Sequence, residues 1–390
     1  NHPAFQRLRR IKQLSLTDMV YPGATHSRFE HSLGVMQMST DIYESIMSKP
    51  RSFDLLHEIY SLNEGGVERY KKIVRLAALL HDIGHAPFSH SSEDIMPIIP
   101  GTNDKRYEHE DYSIAIIKTV FKELIENHPI NENYGIRTEE VTSLLGDQNS
   151  YAYKAMLLLL KGIISGQLDA DRADYLLRDS AHIGVSYGIY DKDRLINCID
   201  VGLLEGESLD LAIQHGGWHI AESLVLARYQ MFTQVYFHKT RCSYDYHICQ
   251  AIKSILVETG VKDGCYPSPD EIEQYLLFDD WAIYSALKQG LGGKHGKIVL
   301  NRNHYRRIYE TSLHPQPNEI IELDKKIGEC NKTGQDYFLA ESKTRWYKMD
   351  KDINICDEET KQVQSLSMLS PIIRHMIDSP SIKRLYVEKK

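Results

Sequence analysis

Val74–Leu80 is an apolar run broken only by Arg75, and it ends directly on His81-Asp82, with His85 and His90 close behind. A chain built this way must run a buried helix into a polar turn. Gly84 and Pro87 close that helix, so three imidazoles and a carboxylate collect where it opens. An adjacent His-Asp pair offers one imidazole nitrogen and one carboxylate oxygen to a single ion, a mixed donor set that suits Fe, Mn, Zn, Ni or Mg at a hydrolytic centre. Two further donors are needed. His31, in Arg28-Phe29-Glu30-His31-Ser32-Leu33, and Asp171, in Asp169-Ala170-Asp171-Arg172-Ala173-Asp174-Tyr175, are the candidates on either side. One histidine at a helix end is ordinarily a cap or core residue, but three imidazoles and a carboxylate exceed what a structural helix end requires.

The 390 residues can hold one large domain with an appendage or two of ordinary size. Hydrophobic content of 42% and charged content of 26% are those of a globular chain and argue against disorder. The longest apolar stretch, Ala155 to Ile164, is interrupted by Lys161 and falls short of the ~20 residues of a membrane span. No signal peptide is visible. The chain starts at Asn1 without Met and inside a motif, and reads as a trimmed or ordered fragment. Six cysteines without a C-x-x-C pair read as reduced thiols in a cytoplasm. The net charge of −8 argues against nucleic acid as a main partner. An anionic substrate must then be met locally, by Arg28, Arg172, Arg178 and Lys239, each inside or beside a motif.

The periodicity predicts a mainly α fold. Apolar residues at three- and four-residue spacing mark helices over 5–14, 31–47, 67–80, 109–127, 151–164, 171–179, 218–235, 244–257 and 270–288. Gly206, between Leu-rich runs in 201–213, suggests a hairpin. After about Pro315 the texture changes: 320–323, 336–342, 352–356 and 383–387 look like short strands, with a helix over 370–377. The expected architecture is a helical core over residues 1–300 and a smaller α+β C-terminal part over 301–390.

The order His31, His81-Asp82, Asp171 is that of the HD-domain metal-dependent phosphohydrolases, which this chain resembles. Within that superfamily, Phe5-Gln6-Arg7-Leu8-Arg9-Arg10-Ile11-Lys12-Gln13-Leu14 followed by Tyr21-Pro22-Gly23-Ala24-Thr25-His26-Ser27-Arg28-Phe29-Glu30-His31 looks like the opening of the deoxynucleoside triphosphate triphosphohydrolase branch. The resemblance is clear over about residues 1 to 300 and weak beyond. It implies an HD helical core, His31, His81, Asp82 and Asp171 as metal ligands, and His109 and Glu110, in Tyr107-Glu108-His109-Glu110-Asp111, as a proton-transfer pair alongside His85. It further implies that His90 faces the leaving 5′ oxygen, with Glu93 as its acidic partner. Gln13 and Leu14 would line the base pocket, Arg28 and Arg172 contact phosphates, Tyr175 pack against the deoxyribose and Asp179 accept from the 3′-hydroxyl. Tyr236 and Lys239, in Val235-Tyr236-Phe237-His238-Lys239, would lie near sugar and phosphates.

The reaction so implied is hydrolysis of a dNTP to deoxynucleoside and inorganic triphosphate, controlling dNTP pools, with a second Mg bridging the phosphates. Homo-oligomers, dimers or tetramers, are also implied. Of the residues that bind an activating guanine nucleotide in the vertebrate enzyme of the branch, Gln6 and Arg9 are matched, whereas the acidic position is Asn1. The alternatives are another HD phosphohydrolase, either an alarmone hydrolase or a nucleotide phosphodiesterase, and a nucleotide-sensing regulator. Alarmone hydrolases carry Glu-Asp after the HD pair, where this chain has Gly84-His85, and the Gly-Tyr-Pro motif of cyclic dinucleotide enzymes is absent.

Overall fold

The computed structural model describes residues 1–147, 155–205, 208–342, 352–376 and 381–389. Eight helices carry the argument: α1 (Arg28–Met47), α2 (Glu64–Leu80), α3 (His109–Thr119), α4 (Ala155–Ile164), α5 (Ala170–Ile183), α6 (Trp218–Met231), α7 (Lys239–Glu258) and α8 (Pro317–Thr333). α1 starts at a capping box, in which the Ser27 N–H donates to Glu30 Oε1 at 2.9 Å. α2 starts at Asn63, whose side chain accepts from the Gly66 N–H at 2.8 Å. Its apolar face, Ile73, Val74, Ala77, Ala78 and Leu80, is buried in one cluster with Val35, Met38, Ile42 and Ile46 of α1. Each Val, Ile, Leu or Met side chain among them contributes about 1.5–3 kcal/mol relative to exposure. α1 packs against both α2 and α5, and that sandwich faces the candidate metal donors toward one another.

Two glycines set the close approaches. A Cβ on Gly34 of α1 would stand 2.0 Å from Asp174 Oδ1 of α5, and one on Gly84 would stand 2.2 Å from the His109 carbonyl oxygen. Contact that close needs glycine, and it draws the His-Asp turn against the start of α3. Ser113 clamps the same turn, donating to the His81 carbonyl at 2.6 Å and accepting from the Gly84 N–H at 2.9 Å.

Among the described residues, strands β1 (Ile199–Leu203), β2 (Leu209–Gln214), β3 (Arg306–Glu310), β4 (Tyr337–Glu341), β5 (Asn354–Cys356), β6 (Val363–Ser365) and β7 (Lys383–Val387) form two sheets. One has the order β1-β2-β5-β6, with β2 and β5 parallel. The other is antiparallel, β3-β7-β4. The expected hairpin is β1-β2. The C-terminal part does not stand apart as one unit: β5 and β6 extend the core sheet, and Lys361, 2% exposed, pairs with Asp200 of β1 at 2.6 Å. A boundary near residue 300 is therefore proposed only for the three-stranded sheet and α8.

The mainly α class with a smaller α+β C-terminal part holds, and several segments differ in detail. Residues 320–323 are not a strand but the second turn of α8, because Leu323, Ile327 and Cys330 fall at helical spacing on one stripe that packs on Leu385 and Val387 of β7. The helix over 5–14 is only Pro3–Gln6 followed by a 3₁₀ turn to Arg10, since Ile11 is extended and its carbonyl accepts from the Arg28 N–H at 3.0 Å. The helix over 270–288 breaks after Tyr275 and restarts where Asp279 caps Ala282 at 2.8 Å. Residues 151–154 of the expected fifth helix, Gly206 of the hairpin and Ile377 lie outside the described residues. None of the described helices is long and apolar enough to cross a membrane. All six cysteines are free thiols.

Candidate active site

His31 from α1, His81 and Asp82 from the end of α2, and Asp171 from α5 converge. His31 Nε2 lies 3.0 Å from Asp171 Oδ1 and 3.6 Å from Asp82 Oδ2. His81 Nε2 lies 3.2 Å from Asp82 Oδ1 and 3.7 Å from Asp171 Oδ1. Each imidazole is oriented through its other nitrogen: His31 Nδ1 meets Asp174 Oδ2 at 2.9 Å, and His81 Nδ1 meets the Ala78 carbonyl at 2.7 Å. Asp174 is in turn held by Arg178 at 2.7 and 2.8 Å. Hydrogen bonds of this kind fix the tautomer that turns Nε2 toward an ion.

The donor set fits a divalent cation on one observation above all. His81 Nε2 is buried without a hydrogen-bond partner, in a cluster with two carboxylates and a second imidazole. A buried polar atom left so is costly unless something binds it. Burial works against a charged His31, yet its hydrogen bonds to Asp171 and Asp174 raise its pKa to about 10. Burial likewise works against ionised Asp82, but Arg28, His81 and His85 hold its carboxyl well below the usual range. Protons and a cation thus compete for the same electron pairs.

Beside this quartet stands a second polar cluster, His85, His90, Glu93 and His109. His85 Nε2 reaches Asp82 Oδ1 at 3.2 Å, and its ring stacks on His109 with centroids 3.8 Å apart. Glu93 Oε1 is shared by His90 Nδ1 at 2.8 Å and His109 Nδ1 at 3.1 Å, and Glu110 Oε2 lies 3.2 Å from His109 Nδ1. The two stacked rings differ in charge preference. Burial, then Arg28 and His109, push the His85 pKa well down. At His109, burial is outweighed by Glu110 and the Glu93 hydrogen bond, which raise it to about 9. Neighbouring groups whose pKa values are driven apart are a natural acid and base. The turn before Glu93 is strained, with Phe88 and Ser89 both at positive φ, and Ser89 Oγ accepts from Arg28 Nε at 2.8 Å.

On the far side, Asp171, Tyr175 and Asp179 occupy successive turns of one face of α5. Tyr236 packs edge-on to Tyr175 at 6.0 Å and donates to Asp179 Oδ2 at 2.7 Å. Arg172 turns its guanidinium onto Asp169 and the Gly166 carbonyl, leaving Nε buried without a partner. Gln13 Oε1 is likewise buried and unpartnered, next to buried Leu14. Lys239 opens onto a different cavity of about 170 Å³, with His304, Arg306 and Arg307. Gln6 and Arg9 meet at the surface at 2.8 Å, with the Arg9 guanidinium 3.5 Å over the Phe29 ring.

Three residues without a role in the sequence reading belong to this neighbourhood. Asp174 orients His31. His26 meets Asp179 Oδ1 at 2.8 Å and stacks on His182. Arg228 of α6 is partly buried, within electrostatic reach of Tyr175, Arg172, Asp169 and Asp171. Its signal was a lone cation in Leu224-Val225-Leu226-Ala227-Arg228, weak without the fold.

The HD domain family matches residues 28–179, and the HD associated region matches residues 190–379. An uncharacterized protein of Methanocaldococcus jannaschii is 36% identical over 327 residues, 83% of this chain and 58% of that protein. The deoxynucleoside triphosphate triphosphohydrolase SAMHD1 homolog of Dictyostelium discoideum is 28% identical over 323 residues, 83% of this chain and 57% of that protein. The chain thus spans a little over half the length of these relatives. The crystal structure of a phosphohydrolase from Bacteroides thetaiotaomicron superposes with a TM-score of 0.72 at 26% identity, covering 100% of this chain and 94% of that one.

Proposed function

The chain belongs to the HD-domain phosphohydrolases, and we propose that within this family it hydrolyses deoxynucleoside triphosphates to deoxynucleoside and inorganic triphosphate. The observation that carries this proposal is the face of α5, where the candidate ligand Asp171 is followed at successive turns by Tyr175 and Asp179, both in contact with Tyr236. One helix then offers a phosphate end and a sugar end to one molecule. The likeness to the Dictyostelium triphosphohydrolase supports the same substrate class.

His31, His81, Asp82 and Asp171 would hold a divalent cation, which when bound supplies Lewis-acid polarisation of a phosphoryl oxygen and acidifies water. Arg28, Arg172 and Arg228 neutralise the triphosphate. Attack at the α-phosphorus makes the 5′ oxygen the leaving group, which needs a proton. His90, exposed at the mouth and paired with Glu93, donates it, while His109 with Glu110 and His85 moves the proton lost by water. Gln13 and Leu14 line the base pocket. Tyr175 occupies the space of a 2′-hydroxyl, and Asp179 accepts from the 3′-hydroxyl. A second Mg on the triphosphate, an activating nucleotide at Gln6 and Arg9, Lys239 as a phosphate contact, a cytoplasmic location and assembly into dimers or tetramers complete the proposal.

Anion-exchange analysis of products from each dNTP and from GTP, singly and mixed, with Mn or Mg, tests it. Tripolyphosphate and deoxynucleoside are expected, and turnover only in mixtures would mark the activator. Monophosphate with pyrophosphate would overturn the reaction in favour of another phosphohydrolase chemistry.

A further inference from the structure

Between α6 and α7 the chain leaves the helical path. A π-helical turn over Phe232–Tyr236 ends at Phe237, and His238 is extended before α7 resumes. Such a break removes carbonyls from the helical ladder, and buried carbonyls must find donors elsewhere. The Tyr236 carbonyl accepts from Arg241 Nη1 at 2.7 Å. The Phe237 carbonyl accepts from Arg384 Nη1, and the Lys239 carbonyl, already in the first turn of α7, accepts in addition from the Tyr386 hydroxyl at 2.8 Å. Both latter donors come from β7, at the far end of the chain, and both are buried, Arg384 6% and Tyr386 1% exposed.

Each is itself fixed. Arg384 Nε donates to Glu310 Oε1 of β3 at 2.7 Å, and its guanidinium lies 4.2 Å over the Phe237 ring. The Tyr386 ring stacks on Phe338 of β4 with centroids 4.6 Å apart. A buried guanidinium is expensive and directional, so its fork sets where the Phe237 carbonyl must lie. One residue upstream, Tyr236 donates to Asp179, which His26 holds from the other side. π-helical turns recur at functional sites, where they re-aim a side chain.

We propose that Arg384 and Tyr386 are positioning residues: by taking the Phe237 and Lys239 carbonyls, the last strand sets the bend between α6 and α7 and thereby aims Tyr236 at Asp179 and Tyr175. This rests on the proposed reaction, in which those three side chains hold the deoxyribose. It gives the C-terminal sheet a part in sugar recognition, although among the described residues no hydrogen bond, ion pair or ring contact joins Arg384 or Tyr386 to Tyr175, Asp179 or the metal donors.

The test compares wild type with Tyr386→Phe, which keeps the ring stack and loses only the hydroxyl, and with Arg384→Lys, which keeps a cation for Glu310 and loses the fork. One hydrogen bond corresponds to about a 3- to 10-fold effect. Tyr386→Phe is expected to raise KM for a dNTP by that factor, with kcat and bound metal unchanged, and to narrow the preference for dNTP over NTP. Arg384→Lys is expected to do more of the same. Amide hydrogen exchange across residues 236–242 should quicken in both variants while that of α1 and α5 stays as in wild type. Wild-type turnover of dNTP with unaltered exchange, or unaltered sugar preference, in folded and metal-replete variants would overturn the positioning role alone. Absence of dNTP turnover in wild type would overturn the reaction and the sugar role together.

Discussion

The metal side of the site and its sugar side are built on opposite plans. On the metal side, His31 comes from α1, His81 and Asp82 from the end of α2 and Asp171 from α5, with α1 packed directly on the other two, and each imidazole is turned by a second acceptor, Asp174 or the Ala78 carbonyl. On the sugar side, Tyr236 reaches Asp179 from a broken helix whose carbonyls are held by residues some 150 positions away. The first plan gives a rigid set of donors whose geometry survives small changes elsewhere. The second ties substrate selection to the remote C-terminal sheet. Chemistry and specificity should therefore separate under mutation.

The largest separation is expected from Asp82→Ala. It should remove bound metal, read by elemental analysis, and all measurable turnover together; full turnover in that variant would sink the metal centre. Next comes His109→Gln, which should lower kcat by about 10²–10⁴-fold, the range for a general acid or base, while leaving metal content and KM near wild type. Asp174→Asn should weaken metal affinity or activity by about 10–100-fold through loss of the His31 orienting bond, measured by metal titration. Tyr175→Ala tests the other side: metal binding should be untouched, and the preference for dNTP over NTP should fall by about tenfold in kcat/KM. A last effect, again on the metal side, is one of pH. Without metal, His31 holds its proton up to about pH 10, so acidification favours the proton and alkalinisation favours the cation. Apparent metal affinity in a chelator-buffered titration should rise with pH between 6 and 9, and a flat profile would remove His31 from the ligand set.

The same contrast explains what was legible in the sequence. The quartet and the His85, His90, Glu93 and His109 group sit in short local motifs, each stating its donor types within a few residues, and the fold gathers all of them. Helices α1, α2 and α5 were legible because their apolar positions keep one period. Asp174, His26 and Arg228 were not, since their importance lies in long-range neighbours, His31 for Asp174 and Asp179 for His26, and the α5 face for Arg228, rather than in the residues beside them in sequence. Residues 320–323 misled for a different reason: Ile320-Ile321-Glu322-Leu323 is too short for its apolar positions to tell strand from helix, and only Ile327 and Cys330 further on decide for the helix. Strands β3 and β6 were hidden because Arg306-Arg307-Ile308-Tyr309-Glu310 and Val363-Gln364-Ser365 are charged or polar and gain their place from pairing with β7 and β5. The gap between the helices expected over 218–235 and 244–257 covers the bend between α6 and α7, but its π-helical turn and the capture of the Phe237 carbonyl are products of packing.

The central claim is a metal-dependent attack of water on the α-phosphorus of a dNTP. Hydrolysis in ¹⁸O-labelled water, with mass analysis of both products, tests it most directly. The account predicts one label in the inorganic triphosphate and none in the deoxynucleoside. Label in the deoxynucleoside, or in a monophosphate released with pyrophosphate, would contradict it.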